Sequence, residues 1–165
     1  MTNIKLSSQR NTMKKWLLIF ALSAVLWAEE GVKQVVFDLK TGNLETFEKK
    51  VLQGIVFHKN HYEGKLEKLE VAVVIHGDAY KFFVKDLKNS PYKNDQKLAL
   101  AHDQLSKRIA TMADTYEVEF LMCEATMKTL KIDKSNVYDY VKLTPNSTIG
   151  LIDKQSEHFT YIPIY

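Results

Sequence analysis

The chain holds a single cysteine, Cys123, in the run Met122-Cys123-Glu124-Ala125-Thr126, and its thiol is the first candidate for chemistry. The run stands where an alternating strand gives way to a helix. Unpaired backbone N–H groups and the helix dipole at such a junction favour thiolate, the nucleophilic form, over thiol. Two facts pull the other way: free cysteine often packs as a small buried hydrophobe, and the charge of adjacent Glu124 opposes a second negative charge. A reactive thiol and a packed one both remain open on this evidence.

His76 is the second candidate. In His76-Gly77-Asp78 it ends a run of apolar residues, and it faces the same rim as Cys123 if the two strands are neighbours. Its alternative role is to hydrogen-bond the backbone of a turn. His58 and His61 are three apart and share a helix face, but two imidazoles without a third ligand do not make a zinc site, and a solvated helix end explains them better. His102 and His158 read as surface groups. The sequence contains no Gly-rich phosphate loop, no Ser-His frame and no carboxylate pair of defined spacing. A nucleotide enzyme or serine hydrolase is therefore unsupported, and no cofactor or metal is expected.

The elements that position these residues follow from periodicity. Val32 to Leu39 reads as a strand, and Asn43 as the N-cap of a helix whose Leu44, Phe47, Val51 and Ile55 recur at three and four residues. Lys65 to Glu70 is a charged connection. Val71 to Ile75 is apolar on both faces, as in a strand of a parallel sheet. Ala79 to Lys85 reads as a short helix, followed by a loop around Asn89-Ser90-Pro91. Leu98, Ala101, Leu105, Ile109 and Met112 mark the longest helix.

Tyr116 to Met122 alternates as a strand ending at the cysteine. A helix from Ala125 to Leu130, a turn within Asp133 to Tyr140 and a short strand from Val141 to Leu143 follow. Ser147 is placed to cap a helix running to about Glu157, with Ile149, Ile152 and Gln155 along one side. Thr160 to Ile164 forms the last strand, and Pro163 gives it an edge position. The near-regular alternation implies an α/β domain with a parallel sheet between helices.

A chain of 165 residues suits one domain. Residues 1–28 differ from the rest: Lys14 and Lys15 precede an apolar run from Trp16 to Trp27, and Ala28 meets Glu29-Glu30. This is the pattern of a signal peptide, Met13 to Ala28, and the run is too short for a spanning helix. The protein is expected to be periplasmic, touching a membrane only through an uncleaved leader. Residues 29–165 then form a single domain. The leader carries four basic residues and no acid, so its removal turns 23 basic and 20 acidic residues into 19 and 20. A near-neutral domain lacks the field that draws nucleic acid. One thiol allows no internal disulfide in an exported chain, so the fold rests on its core.

The strand Val71 to Gly77 (VAVVIHG), the long helix, the strand Val118 to Cys123 (VEFLMC), and the ending from Leu143-Thr-Pro-Asn-Ser147 through Tyr161-Ile-Pro163 resemble the DsrE/DsrF-like (YchN-like) family over about residues 32–164. The resemblance implies a three-layer α/β/α sandwich with a five-stranded, mainly parallel sheet, assembled as a homo-oligomer. Some members of that family relay sulfur, and Cys123 matches the position that carries the persulfide. The resemblance thus implies a sulfur carrier or sulfurtransferase-like protein acting through Cys123, with His76 as a rim neighbour. Its partners would be sulfur donor and acceptor proteins or small sulfur compounds. The alternative is a non-catalytic binding or scaffold module with a structural cysteine.

Overall fold

The computed structural model describes residues 31–165; the leader expected over residues 1–28 lies outside them. Among the described residues no helix is long and apolar enough to cross a membrane. Strand β1 (Val32–Leu39) starts exposed and ends in five consecutive buried residues, the mark of a strand covered on both faces. Asn43 caps the next helix as expected, its side chain accepting from Thr46 N at 2.9 Å. That helix runs as α1 (Leu44–Phe47), a π-helical stretch (Glu48–Gln53) and α2 (Gly54–Glu63). Phe47, Val51 and Ile55 are buried as their spacing predicts. Leu52 is buried too, because the wider π turns bring two successive residues inward.

Strand β2 (Lys68–Ile75) starts three residues before the apolar run. The charged connection read at 65–70 is therefore partly strand, its acids and bases paired across the sheet surface: Lys68 with Glu117 at 3.4 Å and Glu70 with Gln34 at 3.0 Å. Gly77 then takes φ +59, where an added Cβ would meet the Lys40 carbonyl oxygen at 3.0 Å and Lys40 Cγ at 2.8 Å. Glycine adopts this backbone without strain.

The next segment, read as a short α-helix, is a 3₁₀ helix, Gly77–Phe83. Ala79, Tyr80, Phe82 and Phe83 are all buried. Three residues per turn set residues i and i+3 above one another, so the pairs 79/82 and 80/83 both face inward. Phe82 stacks on Phe47 at 4.4 Å, and Phe83 meets it edge-on at 5.8 Å. The loop that follows is tied to the 3₁₀ turn Lys134–Asn136: Asp86 N donates to Asn136 Oδ1 at 2.7 Å, and Asn136 Nδ2 donates to the Asp86 carbonyl at 2.9 Å.

Helix α3 (Gln96–Asp114) buries Leu98, Leu105, Ile109 and Met112. Strand β3 (Val118–Cys123), the short α4 (Glu124–Thr129), β4 (Val141–Thr144), α5 (Ser147–Ser156) and β5 (Thr160–Ile164) complete the chain. Helix α5 corrects two expectations. Its cap is Asn146, whose side chain accepts from Ile149 N at 2.9 Å, and not Ser147. Its inward face is not Ile149, Ile152 and Gln155 either: Ile149 is 38% and Ile152 55% exposed, while Gly150 is buried. The helix turns this way because Gly150 lets its backbone approach Thr144, whose Cγ2 would stand 3.1 Å from an added Cβ.

The five strands form one sheet in the order β4-β3-β2-β1-β5, with β1·β5, β2·β3 and β3·β4 each paired in parallel. Strand β5 lies at the edge, as Pro163 requires. The helix over 44–63, the 3₁₀ helix and α3 cover one face over a large core that includes Phe47, Tyr80, Phe83, Ile109 and Phe120. Helix α5 covers the other, over Val36, Ala72, Val74, Leu121 and Phe159. The result is the α/β architecture of helices on both faces of a parallel sheet.

Candidate functional site at the carboxyl edge of the sheet

Strand register brings the two sequence candidates to one rim. Ile75 on β2 pairs with Met122 on β3, so His76 and Cys123 are the next residues along adjacent strands. Cys123 is in turn the register partner of Thr144 on β4. The His76 backbone stays extended, and its N–H continues the ladder to the Leu39 carbonyl at 3.1 Å. Side chains alternate along a strand, so His76 has the parity of Val74 in the cluster under α5, whereas Cys123, the last residue of its strand, packs with the larger core that includes Tyr80 and Met127.

The sulfur of Cys123 caps α4. It accepts from Thr126 N at 3.5 Å and its S–H donates to Thr126 Oγ1 at 3.4 Å. The Tyr80 hydroxyl donates to the Cys123 carbonyl at 2.5 Å and stands beside the thiol. Burial pushes the thiol pKa up. The Thr126 hydroxyl and amide, the Tyr80 hydroxyl and the Ser147 amide outweigh it, and the thiol is held below its ordinary value. Glu124 carries the charge expected to oppose a thiolate, but it is paired with Lys128 at 3.0 Å. The residue is free and only 3% exposed. The thiol is therefore covered, but by a polar donor set on its rim side.

His76 does not simply hydrogen-bond a turn. Its Nε2 is bonded to Asp38 Oδ1, and Tyr161 OH donates to Asp38 Oδ2 at 2.7 Å. Asp38 is 7% exposed and the His76 side chain 20% exposed. The bond to Asp38, followed by contact with Tyr165, raises the Tyr161 phenol pKa. Asp38 left a trace in the sequence, as an acid among the five residues that end an otherwise apolar strand. Tyr161 left none, since it reaches Asp38 only through the pairing of β1 with β5.

The other histidines stay apart from this rim. His58 lines a groove between α2 and β5, and His61 packs edge-on to Tyr62. His158 is exposed at φ +71. His102 corrects the surface reading: its side chain is 15% exposed, and its Nε2 is bonded to the Val84 carbonyl at 2.9 Å. A groove of about 560 Å³ opens at the opposite, amino edge of the sheet, lined by Lys59, Glu63, Leu66, Lys68 and Glu117 among others. It brings no cysteine or histidine with it, and both sequence candidates stand at the carboxyl edge.

Comparison with known proteins agrees with this architecture. An uncharacterized protein of Aquifex aeolicus (strain VF5) is 30% identical over 157 residues, covering 92% of this chain. The chain spans 64% of that relative's length. The solved structure of a protein of unknown function from Methanobacterium thermoautotrophicum, MTH1491, superposes with a TM-score of 0.55 at 19% identity, over 79% of this chain and 98% of that one. It shows the shared fold. The model of the DsrE/DsrF-like family matches residues 34–164, so the chain belongs to the DsrE/DsrF-like family.

Proposed function

We propose that the protein carries sulfur as a persulfide on Cys123, working in the periplasm as a homo-oligomer once the leader over residues 1–28 has directed its export. The observation that carries this reading is the donor set at the sulfur. The Thr126 hydroxyl and amide and the Ser147 amide face Cys123, and donors so placed favour an anionic sulfur, whether thiolate or persulfide. A carrier needs one thiol and no resolving cysteine, which fits a chain with one cysteine. The near-complete cover of the residue suits a cargo that must be protected from water and oxidants between donor and acceptor. Loading then requires the rim side chains to move aside.

Mass spectrometry after incubation with polysulfide or thiosulfate tests the reading. Added sulfur is expected on the native protein and none on Cys123→Ser. A native thiol that stays unmodified while alkylating slowly from pH 6 to 9 would reject it. That result would favour a binding or scaffold module in which Cys123 packs, the reading its 3% exposure supports.

A further inference from the structure

A groove of about 410 Å³ runs between the helix over 44–63 and the edge strand β5, a volume within the range of small-molecule sites. Strand register builds one of its walls. Ile162 is the register partner of Phe37, and Ile164, two residues on, faces the same side. Phe37 and Ile164 are buried, but Ile162 is 40% exposed at the sheet edge. The other wall is the helix flank that carries Thr46, Lys49, Lys50, Gly54 and His58. Both lysines belong to the π-helical stretch, a form frequent at functional sites. Gly54 puts no side chain into the space: a Cβ there would meet the Lys49 carbonyl oxygen at 3.2 Å and His58 Nε2 at 4.0 Å.

The charge along this groove has one sign. Lys49, Lys50 and His58 line it, and no acid does. All three are exposed, and among the described residues none of them enters an ion pair. Glu48, beside Lys49 in the chain, is held by Arg108 at 2.5 Å. The larger groove at the amino edge differs, because its Lys68 is already paired with Glu117 at 3.4 Å and Glu63 and Glu67 add further acid. Apolar surface beside unpaired cations is complementary to a ligand with an anionic head and an apolar tail. An anion without a tail would leave Ile162 in water, and a tail without an anion would leave the ammonium groups, which only donate, without an acceptor.

We infer that this groove binds a small amphipathic carboxylate, its tail against Ile162 and its head group held by Lys49 and Lys50. His58 adds a third positive group when protonated. The inference stands apart from the sulfur-carrier reading of Cys123 and involves no covalent step. Attraction between exposed charges is modest, so burial of the tail supplies most of the affinity, and the lysines supply the preference for an anion.

Titration of ¹⁵N-labelled native protein with octanoate tests this, with octanol as the uncharged control of similar length. Amide shifts are expected to cluster at Thr46, Lys50, Gly54, His58 and Ile162, and octanoate is expected to bind roughly tenfold more tightly than octanol. Lys49→Ala combined with Lys50→Ala changes two exposed positions and is expected to erase that preference while octanol still binds. Ile162→Ser is expected to weaken both ligands. Shifts that are absent or centred elsewhere overturn the site. Equal affinity for octanoate and octanol, or a preference that survives loss of both lysines, overturns the carboxylate as its ligand. Shifts at the same residues when protein concentration alone is raised, with no response to octanoate, assign the groove to a second copy of the chain and overturn the inference.

Discussion

Thr144 on β4 is the register partner of Cys123 on β3, the last couple in the pairing of these strands, and its side chain is also the surface on which Gly150 of α5 rests. One small polar residue thus sets how closely the amino end of α5, with the Ser147 amide, approaches the sulfur.

Gly150→Ala tests that approach. The new Cβ would lie 3.1 Å from Thr144 Cγ2 and 3.2 Å from its Oγ1, tighter than most packed Cβ contacts, so either Thr144 or α5 must give by a few tenths of an ångström. A loss of about 1–3 kcal/mol is expected, read from the urea midpoint. Thr144→Ser removes the closest atom, so the double variant is expected to recover part of the loss. Full additivity of the two changes would show that they do not meet.

The cap assignment of α5 makes a second prediction. Asn146→Ala removes the acceptor for Ile149 N and is expected to lower stability by about 1 kcal/mol. Ser147→Ala, one residue further, should stay within about 0.5 kcal/mol. Equal losses in thermal melts would return the capping role to Ser147.

The thiol links stability to pH. Its folded pKa lies below the ordinary 9.0, despite burial, through the donors from Thr126, Tyr80 and Ser147. A depressed pKa stabilises the fold fully above the unfolded value, and that contribution is lost as pH falls through the folded value. The stability of native protein relative to Cys123→Ser should therefore rise between neutral pH and about pH 9.5. Denaturation of both proteins at the two pH values checks this. A difference that shrinks as pH rises would mean that the buried thiol resists ionisation.

Local pattern made much of this protein legible. Val32–Leu39 and the buried positions of α3 follow from which residues alternate or recur, because burial of one face acts on the sequence directly. The Asn43 cap and the edge position of β5 are equally local, set by one acceptor side chain and one missing N–H. The strand-end places of His76 and Cys123 could be read for the same reason, and the family resemblance rested on them.

The tertiary structure decided what depends on distance along the chain. The face of α5 was misread because its Ile149–Ile152 stripe obeys helical period, while Gly150 and Thr144, on separate elements, choose which side docks. Asn146 took the cap from Ser147 because the extended backbone ends at 146, one residue earlier than composition implied. Asp38 and Tyr161 lie 123 positions apart, and no periodicity couples them: only the pairing of β1 with β5 does. Sequence dictates which residues seek cover or hydrogen bonds, but strand order and register determine which partners they find.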